Sequence, residues 1–222
     1  MKILGLYNNS CAISLFNWIK EQGNDVILVT ERLDPVWCKE QNFELGISYT
    51  YRYILTDEIL KDLNCQMINI HNSYLPWNRG ADPNIWSIID DSPRGVTIHF
   101  MDAALDKGKI IAQMLVPLEK DDTLKSSYEK LDATAISLFK TIYPFRRYWC
   151  EMGKLPVGKG SYHSLKQGEA IKRLISDYNM PVADLRNAIE AFGIRFSETK
   201  DKGQFEMVSR GGYRIRLYQN IA

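Results

Sequence analysis

Apolar and polar positions alternate along the first half of the chain in two rhythms. Residues 2–7 (KILGLY) form an apolar run of strand length, and residues 12–23 (AISLFNWIKEQG) place Ile13, Phe16 and Ile19 near one helical face before a glycine stop. Residues 25–30 (DVILVT) are a second apolar run, so the three segments read as a β-α-β unit. The rhythm repeats loosely with ISYTY at 47–51, a helix at 56–64 for which Thr56 and Asp57 supply cap chemistry, and QMINI at 66–70. Alternation of this kind predicts a parallel sheet covered by helices.

Further along, the pattern predicts a helix over 83–90 with Pro83 in its first turn, strands over 95–101 (GVTIHFM) and 109–118 (KIIAQMLVPL), and one long helix from Thr123 to Cys150. The two strands read as an antiparallel pair at the far side of the sheet. Past KLPVGKGSYHS, rich in Gly and Pro, come a Lys/Arg-dotted helix, a helix at 181–192 and a terminal β-like stretch, FEMVSRGGYRIRLYQ. The expected fold class is therefore α/β: a Rossmann-like, mostly parallel twisted sheet flanked by helices, with a small C-terminal α+β appendage. A boundary near residue 155 divides a catalytic core, 1–155, from a region 156–222 with helices and a terminal strand pair. That pair could join a second subunit through its edge, giving a homodimer.

Composition narrows the function classes. Lys and Arg number 28 against 27 acidic residues, and a formal charge of +1 supplies no field to hold a nucleic acid. The apolar run after Lys2 is too short for a signal segment, and no stretch reaches the roughly 18 apolar residues a membrane helix needs. A cytoplasmic protein without membrane or nucleic-acid partners is expected. The four cysteines, 11, 38, 65 and 150, lack paired spacing and read as unbridged thiols, not as metal ligands. The first turn, GLYNNSCA, has no dinucleotide fingerprint, but Asn9 and Ser10 could cap the first helix and leave its N–H groups to a substrate phosphate.

Two stretches carry candidate chemistry. In INIHNSYLPWNRGADPNIW, residues 68–86, Asn69 and His71 are two apart on a strand and share a face at its carboxyl end, where open α/β sheets bind ligands. In HFMDAALDKGKII, residues 99–111, Asp102 and Asp106 lie in a turn between two strands.

Together, N-x-H followed by S-x-L-P and R-G, and G-V-T-I-H-x-x-D-x-x-L-D-x-G-x-I about 25 residues later, resemble the folate-dependent formyltransferase family. The resemblance spans roughly residues 1–150. It implies a catalytic trio of Asn69, His71 and Asp106 that moves a formyl group from 10-formyltetrahydrofolate, as co-substrate, to an amine, with no metal. Asn69 would donate to the formyl oxygen as charge develops. His71 would stabilise that oxygen or handle the amine's proton, and Asp106 would orient the imidazole or accept the proton. The folate slot would be lined by Tyr53, Ile54 and Leu55 and by the loop Met101, Asp102, Ala103 and Ala104. Arg52 would meet a substrate phosphate.

Within the family, the tRNA enzyme is similar in its core but longer, with a basic barrel, and the glycinamide ribonucleotide enzyme has a Gly-rich first turn and H-P-S-L-L-P. The segment Trp77, Asn78, Arg79 through Trp86 and GKGSYH at 158–163 are most similar to sugar N-formyltransferases of polysaccharide biosynthesis, including that of lipopolysaccharide O-antigen. The implied partner is a dTDP- or UDP-linked 3- or 4-amino deoxysugar, with Trp77, Asn78 and Arg79 meeting the sugar. The alternatives are glycinamide ribonucleotide formyltransferase, formyltetrahydrofolate hydrolase, and a silent nucleotide-sugar binding module. The IIDDSPRG turn resembles its counterparts less one residue.

Overall fold

The computed structural model describes residues 1–102, 104–173, 175–192, 196–198, 205–208 and 214–217. Its elements run β1 (Lys2–Leu6), α1 (Ile13–Glu21), β2 (Asp25–Val29), α2 (Pro35–Glu40), β3 (Leu45–Tyr49), α3 (Asp57–Leu63) and β4 (Gln66–His71). Next come the two-residue β5 (Arg79–Gly80), α4 (Pro83–Ile89), β6 (Gly95–Phe100), β7 (Ile110–Leu115) and α5 (Leu124–Ile142). The chain continues through α6 (Trp149–Met152), β8 (Tyr162–His163), α7 (Leu165–Lys172), α8 (Val182–Phe192), β9 (Phe196–Glu198), β10 (Phe205–Val208) and β11 (Arg214–Leu217).

The main sheet has the order β2-β1-β3-β4-β6-β7. The first four strands are parallel; β6 runs antiparallel to β4, and β7 antiparallel to β6. This is the mostly parallel sheet that the alternating pattern predicts. Period-two alternation along β4 sends Ile68 and Ile70 into one core and Met67 into the other. The first core closes under α1 and α5 with Leu15, Phe16, Leu131 and Phe139; the second closes under α2 and α3 with Cys38, Ile59 and Leu63. Each such side chain taken fully from water stabilises the fold by roughly 1.5–3 kcal/mol. All four cysteines are free.

The long helix expected over 123–150 is broken. α5 ends at Ile142 and a 3-10 segment, Tyr143–Tyr148, leads into α6. Pro144 has no N–H for the carbonyl four residues back, and its ring crowds that carbonyl. The indole of Trp149 folds back instead and donates to the Ile142 carbonyl at 3.2 Å.

A third core joins α4 to the C-terminal helices through Ile85, Trp86, Ile88, Leu124, Ile171, Val182 and Leu185. Beside it lies a buried arginine, Arg94. Its guanidinium donates to Asn84 Oδ1 at 3.0 and 3.1 Å, to the Val116 carbonyl at 2.8 Å and to the Ser127 carbonyl. Burial pulls its pKa down to about 10 against the opposing attraction of Asp122. The segment beyond residue 155 docks on the core, with β8 pairing β5 in parallel. The terminal stretch adds strands β9, β10 and β11 in a sheet of order β11-β10-β9. No helix among the described residues is long and apolar enough to cross a membrane.

Candidate active site

β4 ends at the rim of a cleft of about 640 Å³. Its Asn69 and His71 share one face, and the antiparallel register of β6 places His99 directly across from Asn69 and Thr97 across from His71. Thr97 pins the chain leaving β4: its hydroxyl accepts the Leu75 N–H at 3.1 Å and donates to the Ser73 carbonyl at 2.7 Å. His99 Nδ1 lies 2.8 Å from the Phe100 carbonyl, so Nδ1 carries a proton and Nε2 faces the cleft.

Asp106 comes from the turn between β6 and β7. The Asp102 carboxylate accepts the Ala104 N–H at 3.0 Å, and Asp106 takes a left-handed backbone, φ 53°. Gly108 lets this turn close onto β6, since a Cβ there would stand 1.8 Å from the Phe100 carbonyl oxygen. The Asp106 carboxylate is then met from three elements. Its Oδ2 accepts the Gly80 N–H at 2.8 Å and lies 3.7 Å from His71 Nε2. Its Oδ1 lies 3.6 Å from His99 Nε2 and 3.5 Å from the Asn69 amide nitrogen. Burial alone would raise this carboxyl, but the imidazoles of His71 and His99 and the Gly80 N–H outweigh it and hold the group well below the usual carboxylate range. The three residues expected to act together therefore meet, with His99 as a fourth.

The Gly80 N–H is free for this contact because of strand geometry. The neighbouring Arg79 N–H and Ala81 N–H bond to the carbonyls of Ser161, just before β8, and of His163 on β8 at 3.1 and 3.0 Å. Successive N–H groups alternate in direction, so that of Gly80 points the other way. Gly80 has φ 90°, and a Cβ would stand 2.3 Å from the His163 carbonyl oxygen, so glycine is required here.

The expected ligand-facing residues divide. Tyr53, Ile54, Leu55, Met101, Asp102 and Ala104 line the cleft, Ile54 at 70% exposure; Ala103 lies outside the described residues. Arg52 and Asn9 also line it. Asn78 does not: it is fully buried, its amide donating to Ser92 Oγ at 2.8 Å and accepting from Ser161 Oγ at 3.1 Å. Its contribution is its carbonyl, 3.2 Å from His71 Nε2. Trp77, Arg79 and Ser10 are outside the lining, Arg79 donating to the Ser161 carbonyl at 3.3 Å.

At the expected phosphate cradle after β1, three N–H groups have partners within the chain. Asn9 Oδ1 accepts the Cys11 N–H at 3.1 Å, while Thr50 Oγ1 accepts the N–H groups of Asn8 and Asn9 at 3.4 and 3.1 Å. Behind the cleft, Asp132 accepts from Tyr49 Oη at 2.5 Å and from the Asn72 amide at 2.9 Å. Burial, then the Asp132 charge, pushes the adjacent Cys11 thiol up to about 12 and the Tyr49 phenol far above its ordinary value. Sequence reasoning gives no role to His99 or Asn72, reaches Tyr162 only as part of GKGSYH, and does not single out the C-terminal lining residues Leu165 and Lys172.

A model of the formyl transferase family matches residues 36–141. The formyltransferase PseJ from Anoxybacillus kamchatkensis, solved with UDP-4,6-dideoxy-4-formamido-L-AltNAc and tetrahydrofolate, is 38% identical. It aligns with a TM-score of 0.72 over 83% of this chain and 97% of that one. A 4-N formyltransferase from Francisella tularensis shares the fold at 21% identity and a TM-score of 0.68, over 98% and 96% of the two chains. The bifunctional polymyxin resistance protein ArnA of Wigglesworthia glossinidia brevipalpis is 37% identical over 102 residues, 46% of this chain; the match spans 16% of ArnA's length. With identity at that level carried across nearly the whole of a formyltransferase, the chain belongs to the formyltransferase family and is an enzyme of that class.

Proposed function

We propose that this enzyme transfers the formyl group of 10-formyltetrahydrofolate to the amine of a nucleotide-linked 4-amino deoxysugar, with UDP as the carrier. The observation that carries the reading is the convergence of Asn69, His71 and Asp106 at one cleft mouth, on a chain 38% identical to an enzyme solved with a UDP-linked 4-formamido sugar and tetrahydrofolate. The folate fits the lining at hand: Tyr53, Ile54, Met101 and Leu105 offer an aromatic and apolar wall, with backbone groups at the rim.

When bound, the folate supplies the activated formyl carbon. The Asn69 amide is held loosely, at 3.3 Å from His99 Nε2 and 3.5 Å from Asp106, so it can turn toward the formyl oxygen at little cost as charge builds there. A carboxyl kept far below the usual range is a poor proton acceptor at neutral pH. We therefore assign Asp106 to holding the His71 imidazole and stabilising the positive charge that the ring gains, and give the amine's proton to the neutral ring of His71. The N–C bond to the sugar forms as the N–C bond to the folate breaks, and the folate nitrogen regains a proton.

The test is a panel of UDP- and dTDP-linked 3- and 4-amino sugars, each incubated with 10-formyltetrahydrofolate and read by mass spectrometry. The expected result is a gain of one formyl group on a UDP-linked 4-amino sugar. Formate released without an amine acceptor would identify a hydrolase instead, and no turnover with any donor would leave only binding.

A further inference from the structure

An acceptor of this kind brings a diphosphate, and its charge must be met inside the cleft. The backbone turn after β1 gives three of its N–H groups, those of Asn8, Asn9 and Cys11, to Thr50 and Asn9. Among the described lining residues, two side chains carry a permanent positive charge, Arg52 and Lys172. Arg52 stands on the wall given to the folate, its guanidinium 5.8 Å from the centre of the Tyr53 ring. Lys172 reaches the lining from another element, as the last residue of α7.

The rim at α7 is a built feature. Lys172 Nζ lies 2.6 Å from Asp82 Oδ1, while Asp82 Oδ2 is buried and has no hydrogen-bond partner. Gly168 brings α7 this close, since a Cβ there would stand 2.1 Å from Asp82 Oδ2. An ammonium has three N–H donors, and one toward Asp82 leaves others for phosphate oxygens. Tyr162 and Leu165, 47% and 65% exposed, put a ring and an apolar side chain on the same rim. Asp82 is two residues from Gly80, whose N–H holds Asp106. Their Cα atoms are at most about 7 Å apart, the scale of one hexose ring between a reacting amine and the phosphate on the anomeric carbon.

We propose that the β8–α7 rim, with Lys172 as its cation and Tyr162 as its ring, binds the nucleoside diphosphate end of the acceptor. This rests on formyl transfer to a nucleotide-linked amino sugar. Lys172 meets the diphosphate, Asp82 fixes the ammonium in place, and Tyr162 and Leu165 pack against the nucleoside.

The experiment is calorimetric binding of UDP, uridine and tetrahydrofolate to the full-length wild type and to K172A, K172R, Y162A and R52A, each checked by thermal melting. K172A is expected to weaken UDP about tenfold or more and to leave uridine and tetrahydrofolate unchanged, as for loss of a charge-assisted contact. K172R should restore most of the loss, and Y162A should weaken UDP and uridine alike. Wild-type affinity for UDP in K172A, or the same loss in R52A with K172A unaffected, would overturn the assignment. If the wild type binds neither UDP nor dTDP yet formylates an amine lacking a nucleotide, the acceptor class itself is wrong and this rim falls with it.

Discussion

At the scale of single residues, the chemistry sits on groups that each hold more than one contact. Replacing Asn69 with Ala removes the donor to the formyl oxygen; kcat should fall roughly a hundred- to a thousand-fold, with little change in substrate KM, in steady-state kinetics. Asp106→Asn keeps the shape and tolerates the left-handed backbone but removes the charge beside two imidazoles. A rate loss on the order of a hundred-fold or more is expected. The same variant has a pH signature. The folded carboxyl lies below its ordinary value of about 3.9, so its stabilisation is complete above that value and is lost as pH falls through it toward the folded value. Between about pH 5 and pH 2 the melting temperature of the wild type should therefore fall more steeply than that of D106N. Spacing and motif made Asn69, His71 and Asp106 legible in the sequence. His99 stands in the quoted motif, but its approach to the trio was not legible, because it depends on the register that sets it across from Asn69. Asn78 reads as a polar loop residue facing a sugar, and only its positive φ of 53° and its two serine partners explain why its side chain turns inward.

At the scale of elements, the β-α-β rhythm was readable because each strand is a short apolar run, α1 keeps its apolar residues near one face, and α3 opens on the Thr56 cap. The six-residue α2 is too short to show a period, and its signal is local: Asp34 accepting the Trp37 N–H ahead of a first-turn proline. Pro144 stood in plain view inside a helical pattern, and the break it causes follows from its missing N–H. The two-residue β5 carries no pattern at all. Gly80→Ala would drive a methyl into the His163 carbonyl and impose a positive φ on a substituted residue. A loss of at least about 1 kcal/mol is expected by thermal denaturation, together with a fall in kcat as the N–H leaves Asp106. Arg94→Met would leave Asn84 Oδ1 and the carbonyls of Val116 and Ser127 without their buried donor. A destabilisation of about 3 kcal/mol, read by urea unfolding, is expected from orphaned interior acceptors of a charged donor.

At the scale of the whole molecule, the Gly- and Pro-rich stretch near residue 155 reads as a border, yet the chain beyond it supplies β8, part of the cleft wall and one side of the third core. Composition shows where a chain bends, not what it packs against afterwards. A protein ending at Lys154 should lose turnover and melt at a lower temperature, since it exposes Ile85, Trp86 and Ile88 and strips β5 of its partner. Circular dichroism melting and a formyl-transfer assay check both. The two faces of β5 have a thermodynamic consequence. One face bonds to β8, which borders the distal rim, and the other gives the Gly80 N–H to Asp106. Any occupant that favours β8 in its place against β5 also favours the ionised carboxylate, and reciprocity requires that protonating Asp106 loosen that occupant. Affinity at the far end of the groove should then weaken in acid even for a ligand that carries no titrating group of its own.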